Sequence, residues 1–199
     1  MHIDGPVGKL ECEIDEVTSA PNKPISVLCH PHPLYGGSMH DAILSSTVDR
    51  LLAHEISCVK FNFRGVGSSE GSHDNGIGEM TDLIAITDHF RVLYPEKPLW
   101  IMGYSFGASI VWKTMLEIKP KKVLLVAPPI KHMEFKANGL NNKVSVIAGA
   151  QDEFIDLQKL KDLEVQSLSV LDGGDHFFTG HYPEFSAAVD KFIKSEEID

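Results

Sequence analysis

The chain has 199 residues, 43% of them hydrophobic, and a formal charge of −10. That length and apolar share suit one core, so a single domain over residues 1–199 is expected. The negative balance argues against a nucleic-acid partner, whose phosphates need a basic face, and against an anionic membrane surface.

The N-terminal stretch MHIDGPVGKLECEIDEV has no basic segment followed by an apolar run, so no signal peptide is expected. No run approaches the length of a membrane span. The three cysteines, Cys12, Cys29 and Cys58, are widely spaced, with no CxxC among them. Cys29 and Cys58 fall inside apolar runs, where Cys acts as a small buried hydrophobe. A reduced, cytoplasmic protein is the expected setting.

In chain order, Leu10, Cys12 and Ile14 alternate with Glu11, Glu13 and Asp15, the pattern of an outer strand with one wet face. Six later runs are continuously apolar: ISVLC (25–29), ISCVKFNF (56–63), PLWIMG (98–103), KVLLVA (122–127), KVSVIAG (143–149) and VQSLSVL (165–171). Such runs suit parallel strands covered on both faces. About seven strands are expected in all.

Helical patterns lie between them. Leu44, Val48, Leu51 and Leu52 share one face within 41–55, and Met80, Leu83, Thr87, Phe90 and Tyr94 share another. Residues 106–118 are apolar on nearly every side and stop before Pro120, as in a central buried helix. Phe185, Ala188, Val189, Phe192 and Ile193 mark a last amphipathic helix. The alternation predicts a doubly wound α/β sheet, with ligands beyond the carboxyl ends of the strands.

The loops after the strands carry the chemistry. PLWIMGYSFGASIVW sets Gly103-Tyr104-Ser105-Phe106-Gly107 between a strand and a helix. G-x-S-x-G in that setting is a sharp turn that lifts a serine hydroxyl clear of the sheet. Glycine is needed two residues either side because side chains there would collide. Ser105 is the candidate nucleophile, and the N–H of Phe106 one oxyanion donor.

A serine needs a base, and the base an orienting acid. Asp152 follows the run KVSVIAG, and His176 follows VQSLSVL, each in a loop leaving a strand. The order Ser, acid, His fits. Glu153 is an alternative acid one residue deeper in the loop. Asp156 precedes LQKLKDL and reads as a helix N-cap. Asp172 and Asp175 share the His176 loop, and Asp175 is poorly placed to reach its neighbour's ring.

Two loops invite other readings. FNFRGVGSSEG spaces its glycines G-x-G-x-x-x-G and opens no helix, so phosphate binding is not expected. Arg64 reads as a tie to loop carbonyls or carboxylates, with a substrate carboxylate as the alternative. In CHPHPLYGG (29–37), His30 and His32 would point to opposite faces if extended, and no nearby Cys or carboxylate completes a metal set. Pro31 and Pro33 have no N–H, which leaves His32 and Leu34 as donors, with Tyr35 beyond.

Taken together, HPHPLYGGSMH, FNFRGVGSSEG, GYSFGAS, AGAQDEF and GGDHFF run in the order of the α/β-hydrolase superfamily. They resemble a compact bacterial subfamily of predicted hydrolases without a lid domain. The resemblance covers nearly the whole chain. It implies Ser105 as nucleophile, Asp152 as acid and His176 as base, in esterase-type hydrolysis without cofactor or metal. Many members carry a His-Gly-x-Pro turn after the matching strand. His30-Pro31-His32-Pro33 resembles it with Pro31 in the glycine's place. By that match the His32 N–H is the second oxyanion donor, with Leu34 the second choice.

The sequence departs from the fuller family pattern in showing one clear N-terminal strand instead of two. Only residues 128–142 separate KVLLVA from the next run, KVSVIAG, too few for a lid. A shallow pocket is expected, with Met133 and Phe135 either lining it or packing into the core. The expected partner is a small soluble ester. Thioester or peptide cleavage, acyl transfer, and a non-catalytic binding role on the same fold are the alternatives.

Overall fold

The computed structural model describes residues 1–136 and 139–195. Among these residues, eight strands form one sheet: β1 (His2–Gly5), β2 (Gly8–Asp15), β3 (Ile25–Cys29), β4 (Ser57–Phe61), β5 (Leu99–Tyr104), β6 (Lys122–Val126), β7 (Val144–Gly149) and β8 (Ser167–Leu171). Their spatial order is β1-β2-β4-β3-β5-β6-β7-β8. From β4 to β8 every pairing is parallel, and β1 and β2 form an antiparallel edge.

The sheet therefore has one strand more than the sequence pattern counted. β1 is four residues long and buries only Ile3, which pairs with Leu10. A segment so short carries no readable period; its partner across the hairpin makes it a strand.

Among the described residues, five α-helices cover the sheet: α1 (Ala42–Ala53), α2 (Gly78–Leu93), α3 (Phe106–Ile118), α4 (Leu157–Asp162) and α5 (Tyr182–Lys194). Asp41 caps α1 by accepting from the Ile43 and Leu44 N–H groups. Asp156 caps α4 in the same way, as its sequence setting suggests. α3 has ten buried residues along its length and ends at Lys119, whose φ of 51° stops it ahead of Pro120. α1 packs on α5, and α2 on α3. Among the described residues, no helix is long and apolar enough to cross a membrane.

The direction in which successive strands are added reverses at the centre. The crossover from β3 runs outward to β4, and the next returns past β3 to β5. Right-handed crossovers then put α1 on one face and α2 and α3 on the other. The loops leaving β3 and β5 diverge at this switch point, where open α/β sheets form a crevice. Cys29 at the end of β3 lies beside Gly103 on β5, so the HPHP loop and the serine turn start side by side.

The loop after β4 is held by a buried ion pair. Asp82 on α2 accepts from the Arg64 backbone N–H at 3.0 Å and from its guanidinium at 2.6–3.1 Å. The two side chains are 0% and 7% exposed. Arg64 is therefore a tie to a carboxylate, and it does not line the cleft described below. Removing one partner strands the other charge. Asp82→Ala should cost about 3–5 kcal/mol in urea unfolding. The apolar double change Arg64→Met with Asp82→Leu should recover most of that loss. A single-variant loss below ~1 kcal/mol would contradict the assignment.

Candidate active site

The turn after β5 has the backbone its sequence requires. Ser105 takes φ 53° and ψ −115°, a strained region for any residue with a side chain. Its N–H donates to the Val126 carbonyl at 2.9 Å. A Cβ on Gly107 would come within 2.4 Å of the Cys29 carbonyl oxygen, so only glycine lets α3 start this close to β3.

Two loops from the far side of the sheet meet this turn. A Cβ on Gly149 would sit 2.2 Å from the Gly174 carbonyl oxygen, and the bare glycine allows the β7 and β8 loops to touch. The Gln151 N–H donates to that same carbonyl at 2.8 Å. This contact brings Asp152 under His176. Asp152 Oδ2 lies 2.7 Å from His176 Nδ1, and His176 Nε2 lies 3.0 Å from Ser105 Oγ. The other Asp152 oxygen accepts from the Phe154 N–H at 2.8 Å. The Tyr104 hydroxyl donates to the His176 carbonyl at 3.1 Å, tying the histidine loop to β5. Ser105, His176 and Asp152 thus form one hydrogen-bonded line.

The other acids stand apart from it. The Glu153 and Asp172 residues are exposed. Asp175 accepts from the Phe177 and Thr179 N–H groups of its own loop, which hold its carboxyl below the ordinary range.

The HPHP loop separates its two histidines. His30 is fully buried: Nδ1 lies 2.7 Å from the Pro31 carbonyl and Nε2 accepts from the Phe63 N–H at 3.1 Å. One nitrogen donates and the other accepts, which fixes a neutral tautomer. Burial pushes its pKa down to about 4. His32 lies on the cleft, and its Nδ1 accepts from the Leu34 N–H at 3.2 Å. Tyr35 and Gly37 donate to the His32 carbonyl. Of the two candidate donors, Leu34 is thus engaged by the His32 ring. Among the described residues, nothing accepts from the His32 or Phe106 N–H. Nor do the described residues place three His, Cys, Asp or Glu side chains to hold a metal.

A cleft of about 560 Å³ opens over Ser105, with Tyr35, Asp41, Met133, Phe154 and Phe177 among its walls. Met133 lines it; Phe135 is buried against Trp112 instead. Asp41, Phe154 and Phe177 were not singled out by sequence reasoning. The adjacent phenylalanines of DHFF hinted at an aromatic wall without saying which one faces it. His73 was also missed. Its ring lies 5.0 Å from His32 and 5.7 Å from Phe106, and its Nδ1 lies 2.7 Å from the fully buried Glu79.

Comparison with known proteins agrees with this architecture. Residues 21–169 match the family described as serine aminopeptidase, S33. The uncharacterised protein RP471 of Rickettsia prowazekii is 30% identical over 97% of this chain and 87% of its own length. XC6422 from Xanthomonas campestris, described as an α/β serine hydrolase without lid, superposes with a TM-score of 0.90 at 32% identity, covering 98% of this chain and 92% of that one. An α/β serine hydrolase homologue from Coxiella burnetii gives 0.86 at 32% identity, over 96% and 95% of the two chains. The chain belongs to the S33 family, within the α/β-hydrolase superfamily.

His30 makes the HPHP loop acid-sensitive. Its folded pKa lies below the ~6.5 of a free imidazole, so the unfolded chain binds the proton more readily. The stability it contributes is present above pH ~6.5 and is lost as pH falls toward 4. About 3 kcal/mol should disappear across that window. His30→Gln should flatten this part of the pH profile of urea unfolding; an unchanged slope would contradict the assignment.

Proposed function

We propose that the protein hydrolyses small carboxylic esters through Ser105, His176 and Asp152, without cofactor or metal. The observation that carries this reading is the single line of hydrogen bonds from Asp152 through His176 to Ser105. His176 Nε2, 3.0 Å from Ser105 Oγ, is within reach to take the hydroxyl proton as the oxygen attacks the carbonyl. Asp152 orients the imidazole and stabilises the imidazolium. The open N–H groups of Phe106 and His32 receive the oxyanion, and each such donor is worth about 10²–10³ in rate. His176 then gives its proton to the departing alcohol, leaving an acyl group on Ser105. Water, activated by the same base, releases the acid.

The short β6–β7 connection supports a site without a lid, open to small soluble substrates. A single domain acting in the cytoplasm on a small molecule, with no nucleic acid or membrane as partner, is the setting that fits the acidic composition.

The family's description supports a second reading, cleavage next to a free amino group. Asp41, on the cleft wall with one oxygen committed to capping α1, is the carboxylate that would face an ammonium. An ester panel run beside aminoacyl amides separates the two.

A fluorophosphonate probe should label the native protein and leave Ser105→Ala unlabelled. That variant should lose at least about 10⁴-fold in kcat on any ester the native protein cleaves. Equal labelling of both proteins, or no labelling of either, would overturn the serine-hydrolase reading.

A further inference from the structure

The cleft has two walls of aromatic rings with different neighbours. Tyr35 and Phe106 pack on the His32 ring, with centroids 4.7 and 4.8 Å away. This wall includes His32 and Phe106, the residues whose N–H groups have no acceptor among the described residues, so on the oxyanion reading above it takes the carbonyl oxygen of a bound ester. The second wall is built on His176. The Phe154 ring lies 4.6 Å from the imidazole and the Phe177 ring 5.3 Å.

Proton transfer assigns the second wall. When the tetrahedral adduct collapses, the carbon–oxygen bond to the alcohol breaks and His176 Nε2 hands its proton to that oxygen. The alcohol half must then lie against the imidazole, and so against the rings packed on it. We propose that Phe154 and Phe177 form a leaving-group subsite that selects alcohols bearing an aromatic ring. The proposal rests on the serine-hydrolase reading above.

The construction of this wall supports a binding role. Phe177 is 61% exposed, yet its backbone is fixed, because Asp175 accepts from its N–H at 3.0 Å and from that of Thr179 at 2.8 Å. Phe178 takes φ 53°, a strained conformation for a bulky residue, and is wholly buried against Phe185. That turn sends one phenyl ring into the core and leaves the other on the cleft. A ring that served only to steady the imidazole would gain by covering itself; Phe177 keeps most of its surface bare. Phe154 is held through its N–H by Asp152. The backbone that carries both rings is therefore set before a substrate arrives, which lowers the entropy cost of binding.

Ring-on-ring contacts add to simple burial, so an aromatic group should be preferred over a saturated ring of the same size. Benzyl acetate and cyclohexylmethyl acetate share an acyl group and differ in this respect. The kcat/KM for the benzyl ester should be about tenfold higher. Methyl phenylacetate and methyl cyclohexylacetate, which move the ring to the acyl side, should differ less. Phe177→Leu should bring the benzyl-to-cyclohexylmethyl ratio to within about twofold of one. A ratio near one in the native protein, or a larger preference on the acyl side, would overturn the subsite.

If none of these esters is cleaved, protection of Ser105 from a fluorophosphonate probe decides. Benzyl alcohol should slow labelling at about a tenth of the concentration that cyclohexylmethanol requires. Equal protection, or protection by neither, overturns the subsite alone. Absence of labelling overturns the hydrolase reading and the subsite with it.

Discussion

The arrangement depends on the left-handed backbone of Ser105. A conformation of this kind costs about 1–3 kcal/mol and persists only where its surroundings fix it. Here the surroundings are β6, which accepts the Ser105 N–H through Val126, and α3, buried along its length. The same turn places Ser105 on the cleft and leaves the Phe106 N–H without an acceptor among the described residues. Because Gly107 has no side chain, α3 begins against the end of β3. The Phe106 and His32 rings are thereby brought within 4.8 Å of each other from loops far apart in sequence.

The sheet topology supplies the rest. The switch between β3 and β5 parts the loops that leave them, and the cleft forms there. Asp152 and His176 arrive on the two strands beyond β6, joined where Gly149 meets Gly174. Behind the HPHP loop, His30 spends both ring nitrogens on backbone groups, and Arg64 spends its guanidinium on Asp82. Groups that look reactive in the sequence are thus consumed in holding loops. Those that line the cleft are Ser105, the imidazoles of His32, His132 and His176, the Asp41 carboxylate and a set of aromatic rings.

Much of this was legible in the sequence because it is local. Continuous apolar runs mark buried parallel strands, and G-x-S-x-G between a strand and a helix marks the serine turn. The residues read as acid and nucleophile each lie within hydrogen-bond distance of the one read as base. What was not legible depends on partners distant in sequence. β1 exists through its pairing with β2. His30 and His32 look alike until the Phe63 N–H claims one of them. Leu34 and His32 were both open as donors, and only the fold of the turn engages the Leu34 N–H with the His32 ring. Neither Phe177 nor Phe178 carries a sign of its direction; the positive φ of Phe178 decides it.

The central claim is that chemistry passes through a covalent acyl group on Ser105. Mass spectrometry of protein quenched in acid during turnover of an activated acetate ester tests it most directly. The account predicts one acetyl group on the peptide carrying Ser105, absent when the ester is omitted. Turnover with Ser105 unmodified, or acetylation confined to another side chain, would contradict it.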